Sequence, residues 1–147
     1  MAGENSLPTQ YYHDDQQVVC EVLIAPAAAT PILYADRNLI IDSVVVGVYT
    51  VSAGITATIQ KTVGATNDGI TITPVSPAAA SPQTLMATGT IPVATAGTYV
   101  VSTESATRSL SADHNTLDAG NWLLFVPSAS ATGAVLSVQV RFRSRPK

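Results

Sequence analysis

Along much of this chain apolar and polar positions alternate with a period of two, the mark of strands that bury one face and wet the other. Residues 55–63 show it most clearly. Ile55, Ala57, Ile59 and Val63 fall on one face, and Thr56, Thr58, Gln60 and Thr62 on the other. Residues 134–142 do the same, with Leu136, Val138, Val140 and Phe142 inward and Ser137, Gln139 and Arg141 outward. Residues 85–93 alternate through Leu85, Ala87, Ile91 and Val93. Two stretches break the rule. In residues 39–51 both faces are apolar: Leu39, Ile41, Val45 and Tyr49 on one, Ile40, Val44, Val46 and Val48 on the other, with Asp42 the lone charge. Residues 122–126 are also apolar on both sides. Shorter strands are expected at 17–24, 32–35, 70–73 and 98–103.

Turn chemistry separates these runs. Asn67, Asp68 and Gly69 tolerate the positive φ that tight turns need. Two Pro/Ala stretches, 25–31 and 76–82, read as loops, because a helix that short is unstable and prolines bound each one. About eight strands at close spacing predict an all-β fold: one antiparallel β-sandwich of jelly-roll type. Residues 1–15 are polar and aperiodic and read as an extended N-terminal arm. The division is 1–30 for arm and first strand and 31–147 for the sandwich.

The doubly apolar strands carry a further expectation. A sandwich strand needs only one apolar face, so something must cover the second. A neighbouring subunit would do so through Val44, Val46, Val48, Leu123 and Phe125, making the protein a homo-oligomer.

Composition supports the all-β reading, since charged residues are 12% and aromatics 5% of a chain rich in Ala, Val, Thr and Ser. At 147 residues one domain with one core is expected. No apolar run approaches the ~20 residues of a membrane helix, and no secretory leader is expected. A net charge of −3 argues against nucleic acid as a partner. The charge is uneven: Glu4, Asp14, Asp15 and Glu21 load the start, and Arg141, Arg143, Arg145 and Lys147 load the end. Cys20 is the single cysteine, so no internal disulfide forms. It reads as a small buried hydrophobe.

Candidate chemistry is sparse. His13, Asp14 and Asp15 are adjacent, and neighbours in an extended chain point apart, so they do not converge on a metal. His114 sits in a polar segment, where a Ser/His/Asp site would need a positioned serine and an oxyanion hole; a turn or loop role is expected instead. No phosphate loop, paired-cysteine site or HExxH pattern occurs. Trp122 reads as a core residue, with a sugar-stacking platform as its alternative. The expectation is a protein that is not an enzyme, with no cofactor and no metal.

One resemblance adds to this. Ala35-Asp36-Arg37, the valine-rich run after it, the Ser52-Ala53-Gly54 turn and the threonine-alternating strand come in that order. Leu117-Asp118-Ala119-Gly120-Asn121-Trp122-Leu123 then opens a late apolar strand. This skeleton, from about Pro31 to Phe142, resembles small β-sandwich virion proteins of tailed bacteriophages, the head decoration or cement proteins. Asn121 stands where such proteins often carry Asp. The resemblance implies a structural protein on the capsid surface of the virion, made in the host cytoplasm. It would bind the major capsid protein as a trimer, or a dimer, and cement neighbouring shell subunits. Shell contacts are expected at Tyr11, Tyr12, His13, Asp14 and Asp15 of the arm and at Arg141, Arg143 and Arg145. The alternative is a receptor- or glycan-binding module of a phage tail or fibre.

Overall fold

The computed structural model describes residues 16–78, 82–103, 109–112 and 114–145. Among them the chain is all-β, with twelve strands and no helix. The first sheet holds β1 (Gln16–Ile24), β12 (Val135–Ser144) and β3 (Leu39–Thr50), with β9 (Thr98–Thr103) and β10 (Thr116–Leu117) both on the far edge of β3. The second holds β2 (Thr30–Tyr34), β11 (Trp122–Pro127) and β4 (Ile55–Lys61), with β7 (Gln83–Thr84) and β8 (Ile91–Val93) both beyond β4. Every pairing is antiparallel. A small hairpin, β5 (Thr66–Asn67) and β6 (Ile72–Thr73), stands apart.

The two main sheets face each other as a β-sandwich. Val44, Val46, Leu136, Val138 and Val140 from the first meet Ile59, Leu123, Phe125 and Ile91 from the second in one core, all fully buried. The alternation in β12 follows the sequence expectation: Leu136, Val138, Val140 and Phe142 are buried, Gln139 and Arg141 exposed.

Strand β3 explains its own double pattern. Arg141 pairs with Ser43 and Phe142 with Ile41, so Asp42 is one residue too many. This β-bulge switches the phase of the strand. Leu39 and Ile41 point inward before it, and Val44, Val46 and Val48 after it. The core-facing residues therefore come from both of the faces that strict alternation defines. Val44, Val46, Val48, Leu123 and Phe125, expected at a subunit interface, are 0–3% exposed and fill the core of the single chain. They present nothing to a neighbour.

Other expectations also change. The alternating run 85–93 is interrupted at Gly89, whose φ of 67° suits a turn and not a strand. Only Ile91–Val93 remains a ladder there, and Met86 forms a lone bridge to Leu110. The inward register of β4 ends on Lys61, which is buried, while Val63 is exposed. Strand β1 pairs with β12 along its whole length, which makes residues 16–24 part of the sandwich.

Candidate functional site

The resemblance motifs meet at one corner. Gly120 N–H donates to Ala35 O (2.8 Å) and Ala35 N–H to Asn121 O (3.0 Å), joining the end of β2 to the start of β11. Ala119 N–H donates to Asn38 Oδ1 (3.0 Å). Asn121 is buried, and its Oδ1 accepts from Thr62 Oγ1 (3.2 Å) and from Ala65 N–H (3.4 Å), while its Nδ2 donates to Asp118 O (3.3 Å). Thr62 Oγ1 in turn accepts from Trp122 N–H (2.9 Å). Gly120 has φ +86°, and a Cβ there would stand 2.7 Å from Ile72 and 2.8 Å from Ala65. Only glycine fits both demands. Asp36, Arg37 and Asn38 close the same corner from outside: Arg37 Nε donates to Ser144 Oγ (2.7 Å) and its other nitrogens reach Gln17 and Asp36. The corner ties β2, β4, β11 and β12 together.

Beside it lies a pocket of about 50 Å³ lined by Lys61, Thr62, Gly64, Asp118 and Asn121, room for little more than water. Lys61 Nζ donates to Thr116 O. Burial lowers the Lys61 pKa from its ordinary 10.5, Asp118 opposes that by its negative charge, and Arg145 adds to it. Arg145 itself pairs with Asp118. Among the described residues no three His, Cys, Asp or Glu side chains gather in a metal-binding group.

The sequence-predicted contacts fall in different places. Tyr11, Tyr12, His13, Asp14 and Asp15 lie outside the described residues. Arg141 is exposed on the outer face of the first sheet and, among the described residues, has no ion pair. Arg143 Nε binds Asp42 (3.1 Å), the bulge residue, and Arg145 turns to Asp118. The three guanidinium groups thus do not form a uniform row.

Cys20 is exposed, not buried. Leu23 packs inward, so by alternation Val18, Cys20, Val22 and Ile24 point out. Trp122 is half-buried on the outer side of the second sheet, not in the core; its ring lies 4.9 Å from that of Tyr34 at 53°.

The surface feature that stands out is the outer face of the first sheet. Its registers place Val22, Ser137, Gly47 and Tyr99 in one row across β1, β12, β3 and β9. Cys20, Gln139, Val45 and Val101 form the next row. Val18, Arg141, Ser43 and Thr103 follow, and Arg143 with Asp42 closes that end. Six of the nine large hydrophobic side chains exposed among the described residues stand on this sheet, namely Val18, Val22, Ile24, Tyr49, Tyr99 and Val101. That clustering exceeds a normal scatter of single exposed residues. Sequence reasoning missed it because β1 and β9 become its neighbours only through the register.

No family model, curated protein or solved structure matches the chain.

Proposed function

We propose that this chain is a structural virion protein that binds the outer surface of a tailed-phage capsid and stabilises it by cementing neighbouring shell subunits. The observation that carries the reading is the corner at Ala35–Asn38 and Asp118–Asn121. The two motifs that bear the resemblance are far apart in sequence, and they form one hydrogen-bonded unit that holds the sandwich closed. In this reading the motifs that carry the resemblance would be the ones that build the fold.

The strand order supports the finer reading of a jelly roll. β1 lies beside β12, β2 beside β11, β3 beside β9 and β10, and β4 beside β7 and β8. First pairs with last, second with second-last, as in a long hairpin rolled on itself. A disulfide-free sandwich of this kind suits a rigid binding role. The partner in this reading is the major capsid protein. Arg141, the exposed guanidinium without an ion pair among the described residues, would grip a shell carboxylate, and residues 11–15 would make a separate shell contact. Function does not follow from such a fold alone, and the test is direct. Purified virions should contain hundreds of copies in simple ratio to the shell subunit, counted by quantitative mass spectrometry. The isolated protein should also sediment with shells that lack it. A handful of copies per particle would move the protein to the tail or fibres, and absence from virions would end this reading.

A second reading, glycan or receptor binding, has one observation behind it: the Tyr34–Trp122 pair, with Tyr34 38% exposed. The 53° tilt between the rings leaves no flat stacking platform. Loss of sugar or receptor binding on Trp122→Ala would favour this alternative.

A further inference from the structure

We infer that the outer face of the first sheet is a self-association surface, seated against the same face of a second copy of this chain across a two-fold axis. This goes beyond shell binding and does not depend on it.

Three properties of the face select this occupant. The first is area. Aromatic side chains offer about 150–250 Å² each, and Tyr49 and Tyr99 stand 63% and 73% exposed. With Val18, Val22, Ile24 and Val101 the apolar patch is on the order of 600 Å², at the upper end of what monomers leave in water and close to the ~800 Å² per partner of a stable interface. The second is charge. The rows through Val22 and Cys20 contain no charged residue, and Arg141 and Arg143 lie together at one end. An interface core depleted of charge with a charged rim is the composition of protein–protein contacts. A two-fold axis through the uncharged end brings apolar rows together and carries the two arginine ends to opposite rims. The third is the edge. β1 is the outermost strand of its sheet, and Glu21 on its inward side is exposed. A charge so placed discourages a second chain from adding to the edge.

An isologous pair follows because the same patch must serve both partners. A cyclic trimer would need two different complementary patches, and the described residues show one of this extent. Gly47 helps: it keeps the middle of the face low, where a Cβ would meet Ser137 Oγ at 2.7 Å.

The test uses the full chain and Cys20, which lies in the middle row and is exposed in the single chain. Sedimentation across micromolar concentrations should give a dimer, and maleimide labelling of Cys20 should slow as the dimer forms. Val22→Lys and Tyr99→Lys each place a charge on the buried side of the contact and should weaken the dimer at least about a hundredfold. Ile70→Lys, at an exposed site on the separate hairpin, should leave it unchanged. Because these side chains are already exposed in the single chain, circular dichroism and melting of the dissociated variants should match the parent. A chain that stays monomeric at high concentration overturns the inference, as does a trimer, or a dimer indifferent to both lysine variants. A monomer whose Cys20 is protected until residues 1–15 are removed also overturns it, and assigns the face to that segment instead.

Discussion

The two sheets solve the same problem in opposite ways. Each has an inner face in the core and an outer face with apolar residues on it. On the second sheet the outward Leu124, opposite Gln60 and Pro31, is fully buried although it lies outside the central core cluster. Burial in a single chain comes from that chain, so the second sheet covers the middle of its own back at Leu124, while Trp122 beside it is half-buried and Tyr34 stays 38% exposed. The first sheet leaves Val22, Ile24, Tyr49 and Tyr99 60–76% exposed. Apolar surface left in water is unfavourable by about 25 cal/mol per Å². The larger exposed apolar surface is therefore on the first sheet, the face inferred above to seat a second copy.

The contrast can be broken most sharply by matched truncations. Leu124→Ala should destabilise the fold by about 2–5 kcal/mol, the cost of a buried cavity. Val22→Ala on the bare sheet should change the stability of the single chain by no more than about 0.5 kcal/mol. Urea unfolding at a concentration where the chain is monomeric measures both. Equal effects would mean that the two outer faces are not different in kind.

The corner comes next. Gly120→Ala forces a side chain into a left-handed backbone position and against Ile72 and Ala65. A loss of about 1–3 kcal/mol is expected. Asn121→Ala leaves Thr62 and Ala65 without their shared acceptor, and a buried unsatisfied group costs about 1–3 kcal/mol. Nothing comparable holds the first sheet's outer face. Asp42→Ala removes only the exposed pair with Arg143 and the acceptor for Gln16, worth less than about 1 kcal/mol. Thermal melts should place both corner variants below Asp42→Ala.

How much of this was legible beforehand depends on the element. The period-two alternation in 55–61 and 135–142 located β4 and β12, because each keeps one phase against one core. The bulge at Asp42 was not legible in apolar periodicity, although the lone charge in an apolar run marks its position. A phase switch and a doubly buried strand leave the same pattern, so periodicity alone makes Val44, Val46 and Val48 a spare face. Strands β5, β6, β7 and β10 are two residues each and carry no period at all. Residue type alone predicts Cys20 and Trp122 inside. Their side was set instead by Leu23 and Leu123, the neighbours that do pack inward. The corner residues were visible as motifs, but their joining across about eighty positions was not. The bare face is assembled from four strands whose order is set by pairing, information that no local window contains.

The smallest effect concerns Lys61, on the covered sheet. It occupies an inward β4 position where Ala57 and Ile59 are apolar, and burial lowers its pKa below 10.5. Below the depressed value both folded and unfolded chains carry the proton, and the burial penalty is present in full. Between that value and 10.5 the unfolded chain binds more protons than the folded one, so this group adds stability as pH rises. Lys61→Met removes the titration together with the bond to Thr116 O. Near neutral pH the two losses oppose each other, and a net change within about 1 kcal/mol is expected. As pH climbs toward 10.5 the parent should gain on Lys61→Met, and below neutrality their difference should be flat. Paired urea titrations across that range measure the difference directly, with the other titrating groups common to both proteins. A difference that stays flat toward pH 10.5 would mean that Lys61 keeps its proton in the fold, held by Asp118. The covered sheet would then end in a satisfied ion pair and not in a strained cation.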